Sequence, residues 1–252
     1  MILLKPAGPS VPQPRSVRAL VGGAEPTSDE REGAGRVEAA HRAIKQAIRT
    51  NVFPPGYQAA EADIAGQLRM SRTPVHEAMT RLQEEGLVRI LPRRGILVCP
   101  LTPEDIEDIY EIIIALEGAA AERLARRDEA SSAPVALLLE ETTAAMEEAL
   151  AAGDLDGWAA ADGRYHDQLV AECGNGRLTR MAGTVTDQLH RARIFTLKLR
   201  ALPADSAREH RETIAAIRAG DADAARRAAR THREHARDQL LPLIGRLKLF
   251  NL

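Results

Sequence analysis

Residues 71–98 restrict the possible folds of this chain more than any other stretch. Ser71 suits a helix N-cap, and Pro74 falls in the first turn, where no backbone N–H is needed, so a helix is expected from Arg72 to Glu85. Val75, Ala78, Met79 and Leu82 recur at i, i+3, i+4 and i+7, a stripe that must be buried. The other face carries Arg72, Thr73, His76 and Thr80, the small, polar and cationic groups that suit a major groove. A shorter helix, Glu61 to Leu68, leads in through the turn Arg69-Met70-Ser71. Two β-rich runs follow, 86–90 and 95–98, joined by Leu91-Pro92-Arg93-Arg94. They predict a hairpin with a basic tip, and the whole unit is expected to be a winged helix-turn-helix.

The charge distribution agrees. The net charge is only −2, yet residues 34–99 carry ten Lys/Arg against six Asp/Glu, and residues 100–252 carry twenty against twenty-six. The first segment suits a polyanion and the second does not. Ahead of it, Arg36 to Asn51 is expected to be a helix buried through Val37, Ala40, Ile44, Ala47 and Ile48, ending at Phe53-Pro54-Pro55-Gly56. Residues 1–33 are rich in Pro, Gly, Ala and Ser without any period, and predict a disordered arm whose Arg15, Arg18 and Arg31 form a passive tail. Cys99 and Cys173 have no metal or CxxC spacing, which fits structural thiols in a reducing cytoplasm. No apolar run reaches membrane length, and the start lacks a signal-peptide core.

From residue 100 on, the pattern is helical. Aromatics make up 3% of the chain, and Ala, Leu, Arg and Glu are abundant, which favours a bundle over sheets. Thr102 caps, Pro103 opens and Glu104 and Asp105 complement the dipole of the first helix. The expected spans are 103–128, 133–152, 154–173, 176–200, 205–219 and 221–248, with breaks at Ser131-Ser132-Ala133-Pro134, Gly153-Asp154, Gly174-Asn175-Gly176, Leu202-Pro203 and Gly220-Asp221. The fold class is therefore mainly α: a winged helix-turn-helix over 34–99, then an all-α bundle over 100–252.

Four side chains of the bundle converge by simple geometry. Asp162 and His166 share a helix face at i, i+4. His210 lies ten residues before Gly220 and His232 twelve after it, so an antiparallel pair of helices turning at Gly220 sets them at one height, roughly 15–18 Å from the turn. One carboxylate and three imidazoles inside a bundle suit Zn²⁺, Ni²⁺, Mn²⁺ or Fe²⁺. His235, one turn beyond His232, is the rival ligand, while His41 and His190 find no matching partner and are expected to be surface or interface residues.

These residues also carry a resemblance. Pro55-Gly56, Glu61, Ile64-Ala65, Ser71 to Val75, Glu77-Ala78, Arg81-Leu82, Glu85 to Val88 and Arg94-Gly95 resemble the DNA-binding domain of GntR-superfamily transcription regulators. Tyr110-Glu111, Leu116-Glu117, Asp162 to His166, Gly174-Asn175, Glu209 to Arg211, Ala219 to Asp221 and His232 are similar to the FCD effector-binding domain of FadR-type members. The resemblance implies that Arg72 reaches base edges or flanking phosphates, that Ser71 and Thr73 lie at the DNA surface and that Arg69 clamps a phosphate. It also implies that Arg93, Arg94 and Gly95 form a wing tip entering the minor groove. In many members an Asp and three His hold a divalent metal, whose coordination a small organic carboxylate completes; by position these are Asp162, His166, His210 and His232.

Two positions depart from the family pattern. His76 replaces a DNA-contacting arginine, and an imidazole with an ordinary pKa near ~6.5 predicts operator affinity that rises as the pH falls from about 7.5 to about 6. Ile113 replaces an arginine, leaving Arg191 and Arg193 as candidates to hold an acidic effector. The implied function is that of a cytoplasmic homodimer binding double-stranded operator DNA, most simply a repressor relieved by a small carboxylate. Two rivals stay open. One is a metal-dependent hydrolytic enzyme using Glu117 or Glu209; the other is a DNA-binding protein whose helical domain only dimerises.

Overall fold

The computed structural model describes residues 29–199 and 203–246. The N-terminal unit is built from α1 (Asp29–Arg49), β1 (Gln58–Ala59), α2 (Glu61–Leu68), α3 (Arg72–Glu84), β2 (Val88–Leu91) and β3 (Gly95–Val98). The apolar stripes of α1 and α3 face each other: Ile44, Ile48, Val75, Ala78, Met79 and Leu82 are all fully buried, closed below by Phe53, Leu87 and Ile96. Arg69 takes a left-handed conformation, φ 55°, to turn the chain between α2 and α3.

Two expectations about this unit need correction. Helix α1 begins at Asp29, so residues 29–33 belong to it rather than to an arm; Arg15 and Arg18 lie outside the described residues. The wing is also not a bare hairpin. The strand order is β1-β3-β2, with Gln58 opposite Leu97 and Ala59 opposite Ile96. Gly56, at φ +76°, swings the chain back so that its N–H reaches the Val98 carbonyl and Val98 N–H reaches Tyr57. A two-residue strand carries too little pattern to be seen in sequence.

Gly95 is fixed by this third strand. Its φ is +89°, and a Cβ there would stand 1.9 Å from the Ala59 carbonyl oxygen. Gly95→Ala is therefore expected to lose on the order of 3 kcal/mol through strain plus the broken β1–β3 contact. Denaturant unfolding checks this, and a loss below about 1 kcal/mol would show that the wing tolerates a side chain.

The bundle comprises α4 (Pro103–Ala125), α5 (Glu129–Ala151), α6 (Leu155–Ala171), α7 (Gly176–Thr196), α8 (Ser206–Arg218) and α9 (Ala222–Arg246), with a short 3₁₀ turn, Leu197–Leu199, after α7. Thr102 and Asp105 form the reciprocal cap expected at the start of α4. The first break falls earlier than expected. Asp128 accepts from the Ser131 N–H at 3.0 Å and caps α5, so Pro134 sits in its second turn, where it removes one i→i−4 bond. The bundle core gathers Ile106, Ile113, Leu124, Leu139, Tyr165, Leu169, Ile214 and Leu240. Gly118 lets α4 and α9 approach closely; a Cβ there would meet Arg230 at 2.9 Å. Helices α8 and α9 turn at Gly220, φ +68°, and run antiparallel, which fixes the heights of their polar residues.

Candidate metal centre

Asp162 and His166 project from α6, His210 from α8 and His232 from α9, and one ligand atom from each lies within 4.8 Å of all the others. All four are buried. His232 Nε2 is 3.2 Å from His210 Nε2 and 3.3 Å from His166 Nε2. The Asp162 carboxylate lies 3.7 Å from His166 Nε2 and 3.8 Å from His210 Nε2.

Hydrogen bonding on the far side of the rings decides their chemistry. His166 Nδ1 meets Glu117 Oε2 at 3.0 Å, and His232 Nδ1 meets Glu209 Oε2 at 2.8 Å. Burial pushes the Glu117 carboxyl up, but Arg233 and His166 more than offset it and hold it well below the ordinary range. Glu209 is likewise lowered, its hydrogen bonds from His232 and His235 outweighing burial. An ionised carboxylate only accepts, so both Nδ1 atoms carry a proton. Burial, reinforced by Arg233, pulls His166 down to about 4, so it is neutral at pH 7.

The neutral His166 ring presents its Nε2 lone pair to the centre of the cluster, and Asp162 Oδ1 is buried without a hydrogen-bond partner among the described residues. A cation held between them would satisfy both. Carboxylate plus imidazole donors, two of the three rings oriented by an outer carboxylate, fit a borderline divalent ion. His210 is set differently: its ring stacks on Tyr165 with centroids 3.6 Å apart, and its Nδ1 has no partner among the described residues.

Arg233 was not anticipated. It is 1% exposed and donates through Nε and Nη2 to both oxygens of Glu117, at 2.8 Å for Nε. Nothing periodic marks this pair, since its members are 116 residues apart. Arg193 does reach the cluster, donating to Asp162 Oδ2, and with Trp158, Glu209, His232 and His235 it lines a cavity of about 50 Å³ beside it. Arg191 does not: it is buried at the junction and donates to the Cys99 carbonyl at 3.0 Å, so its place as an effector ligand is corrected. His235 is also outside the cluster, held by Glu209 Oε1 at 2.7 Å.

His41 pairs with Glu85 at 2.7 Å. His190 is half-buried beside Gly163, Arg49 and Arg193. Burial, with repulsion from Arg49 and Arg193 against attraction by Asp162, depresses it to about 3. The unfolded imidazole gains its proton near pH 6.5 and the folded one does not, so its share of stability is present above about pH 6.5 and is lost as pH falls towards 3. Between pH 7 and 5 the loss is expected to be on the order of 1 kcal/mol. Comparing unfolding of the parent and His190→Gln at both pH values checks this; identical pH slopes would contradict it.

On the N-terminal unit, Arg69, Ser71, Arg72, Thr73, His76, Arg93 and Arg94 are all exposed, in the turn between α2 and α3, on α3 and on the wing. Ser71 has N-cap backbone angles, but its hydroxyl makes no capping bond. His76 Nδ1 lies 2.9 Å from Glu61 Oε1, an acceptor on α2 that orients the ring.

Residues 36–98 match the family described as bacterial regulatory proteins, gntR family, and residues 108–235 match the FCD domain. An uncharacterized HTH-type transcriptional regulator in the TAR-I ttuE-ttuC' intergenic region of Agrobacterium vitis is 65% identical over 147 residues, covering 58% of this chain and 86% of that one. The HTH-type transcriptional repressor RspR of Escherichia coli (strain K12) is 26% identical over 196 residues, covering 76% and 83%. Among solved structures, one described as a GntR transcriptional regulator from Rhodococcus sp. RHA1 superposes with a TM-score of 0.68 at 25% identity, covering 82% of this chain and 98% of that one.

Proposed function

The chain belongs to the gntR family of bacterial transcriptional regulators and carries an FCD domain, and on that premise we propose that it is a repressor whose operator affinity is set by a small organic acid bound at a metal ion in the bundle. Family and relatives are DNA-binding regulators rather than enzymes. In agreement, the two carboxylates nearest the cluster are engaged in orienting His166 and His232, which leaves neither as a general base. The domains of this reading are a DNA-reading head over 34–99 and a sensing and dimerising bundle over 100–252, working as a cytoplasmic homodimer. Among the described residues, no helix is long and apolar enough to cross a membrane.

The observation that carries the sensing half is the convergence of His166, His210, His232 and Asp162 on one buried point, with His166 Nε2 and His232 Nε2 3.3 Å apart. A zinc, nickel, manganese or iron ion held by these four side chains would supply a Lewis-acidic point for a ligand oxygen. Charge favours an acid as that ligand. Asp162, Glu117 and Glu209 are opposed by Arg193 and Arg233, one net negative charge that a divalent cation turns into one net positive. Arg193, which lines the 50 Å³ cavity, would meet the acid's second oxygen.

For the head, Arg72, Thr73 and His76 face outwards on α3 and Arg93 and Arg94 extend from the wing, an arrangement that supports major-groove and minor-groove contacts respectively. His76→Ala is expected to weaken operator binding by removing one outward-facing contact of α3 per subunit. Binding curves at constant salt test it; an unchanged affinity would refute it. The experiment for the whole reading is nuclease protection of the DNA beside the protein's own coding region, with Zn²⁺ and a panel of small carboxylic acids. Protection weakened by one acid, and only when the metal is present, is expected. Protection indifferent to every acid and to chelation would leave the bundle as a dimeriser only.

A further inference from the structure

Helix α7 touches both halves of the molecule. On one face, Asp187 is 4% exposed yet accepts from Lys45 at 2.5 Å and Arg49 at 2.5 Å, both on α1 of the head. Lys45 also reaches Glu85, 3.0 Å away, the residue that ends the recognition helix α3. One residue along, Gln188 donates to the Glu85 main-chain carbonyl at 3.0 Å, an acceptor left over at the helix C-terminus. Arg191, on the next turn, holds the Cys99 carbonyl at the junction between head and bundle. Three consecutive grips on the head therefore come from one helix.

The same helix also grips the cluster. Arg193 donates to Oδ2 of Asp162, one of the four residues of the cluster, whose other oxygen is left without a hydrogen-bond partner among the described residues. Asp187 and Arg193 are six residues apart, about 9 Å along a continuous helix. A cation and Arg193 both draw on the Asp162 carboxylate, so occupancy of the cluster alters the pull that Arg193 exerts on α7. A packed helix transmits such a change as a shift of its whole body, because cores change between discrete packings rather than deforming locally. Asp187 is desolvated and tied to two cations, so its contacts move with the helix.

We propose that α7 is the coupling element of this protein, with Arg193 reading the cluster through Asp162 and the Asp187 clasp on Lys45 and Arg49 setting the head. This rests on the reading of the cluster as a metal site. The alternative route runs through the 99–102 junction and α4, whose Glu117 orients His166. The clasp route makes a specific demand: without Asp187, the ion is still bound but the head no longer responds.

The test uses the full chain with Zn²⁺ alone as probe. Calorimetry measures ion binding, and amide hydrogen exchange of residues 36–49 measures the head, with Zn²⁺ and after chelation. The parent is expected to bind Zn²⁺ and to change its α1 exchange by threefold or more. Asp187→Asn is expected to bind within twofold of the parent and to show no change. Should that variant fold poorly by circular dichroism, Lys45→Gln combined with Arg49→Gln removes the same clasp from its exposed side and carries the same expectation. A full parental response in a folded clasp variant would assign the coupling to the junction and overturn the proposal, as would a parent that binds Zn²⁺ with no change in α1. No Zn²⁺ binding by the parent would refute the metal reading itself, and the calorimetric trace separates that failure from the others.

Discussion

Replacing Arg233 by methionine is expected to cost about 3–5 kcal/mol of stability, the range for removing one partner of a buried ion pair. Arg233 and Glu117 are each 1% exposed, and the guanidinium covers both carboxylate oxygens. Without it, Glu117 keeps only His166 as a partner and must either stay charged while buried or take up a proton, and both cost stability. The pair need not be strongly stabilising for this to hold, because the cost lies in the charge left behind. Arg233→Met combined with Glu117→Leu should recover most of the loss, since two apolar side chains leave no stranded charge. Denaturant midpoints at one pH measure both. A single variant losing less than about 1 kcal/mol, or a double variant no better than the single, would show that the carboxylate finds another partner.

The second large effect concerns the ion. His210→Ala is expected to weaken Zn²⁺ binding by about 10²–10³-fold: structural zinc sites contribute about 10–16 kcal/mol, roughly 2.5–4 kcal/mol for each of four ligands. Glu209→Gln should weaken it by about 10–100-fold by loosening His232. His235→Ala is the control, because His235 is held on the outer side of Glu209 and should leave binding within about threefold. Calorimetric titration gives all three values. Equal losses for His210→Ala and His235→Ala would mean that the ion sits elsewhere. In parallel, the parent should gain about 2.7 kcal/mol of stability at a Zn²⁺ concentration one hundred times its dissociation constant, and His210→Ala should gain no more than about 0.4 kcal/mol at that concentration.

Much of this architecture could be read from residue spacing, and what could not has a common cause. The i, i+4 pair Asp162 and His166 and the placement of His210 and His232 either side of Gly220 are local facts of helix geometry, and the structure brings the four together. The α3 stripe and the Thr102 cap are local in the same way. Arg233, the role of Glu117 and the Asp187 clasp depend on partners 116 and 138 residues away, and no period in the chain announces such pairs. Arg191 and Arg193 were indistinguishable by sequence, being two apart on one helix; the 200° between them sends one to the junction and the other to the cluster. Pro134 misled for a different reason. Proline is a strong stop signal, but Asp128 had already supplied the start, and a proline in the second turn costs only one bond.

The spread of the four converging side chains along the chain has a consequence for biosynthesis. Asp162 is translated seventy residues before His232, on a helix that must wait for the antiparallel partner of α8 to be made and docked. A nascent polypeptide still lacking α9 has two imidazoles and a carboxylate but neither the third ring nor Arg233 to neutralise Glu117. On the proposed metal reading, full coordination would wait until α9 has been made and docked, and a product cut short before His232 would lack one of the four side chains.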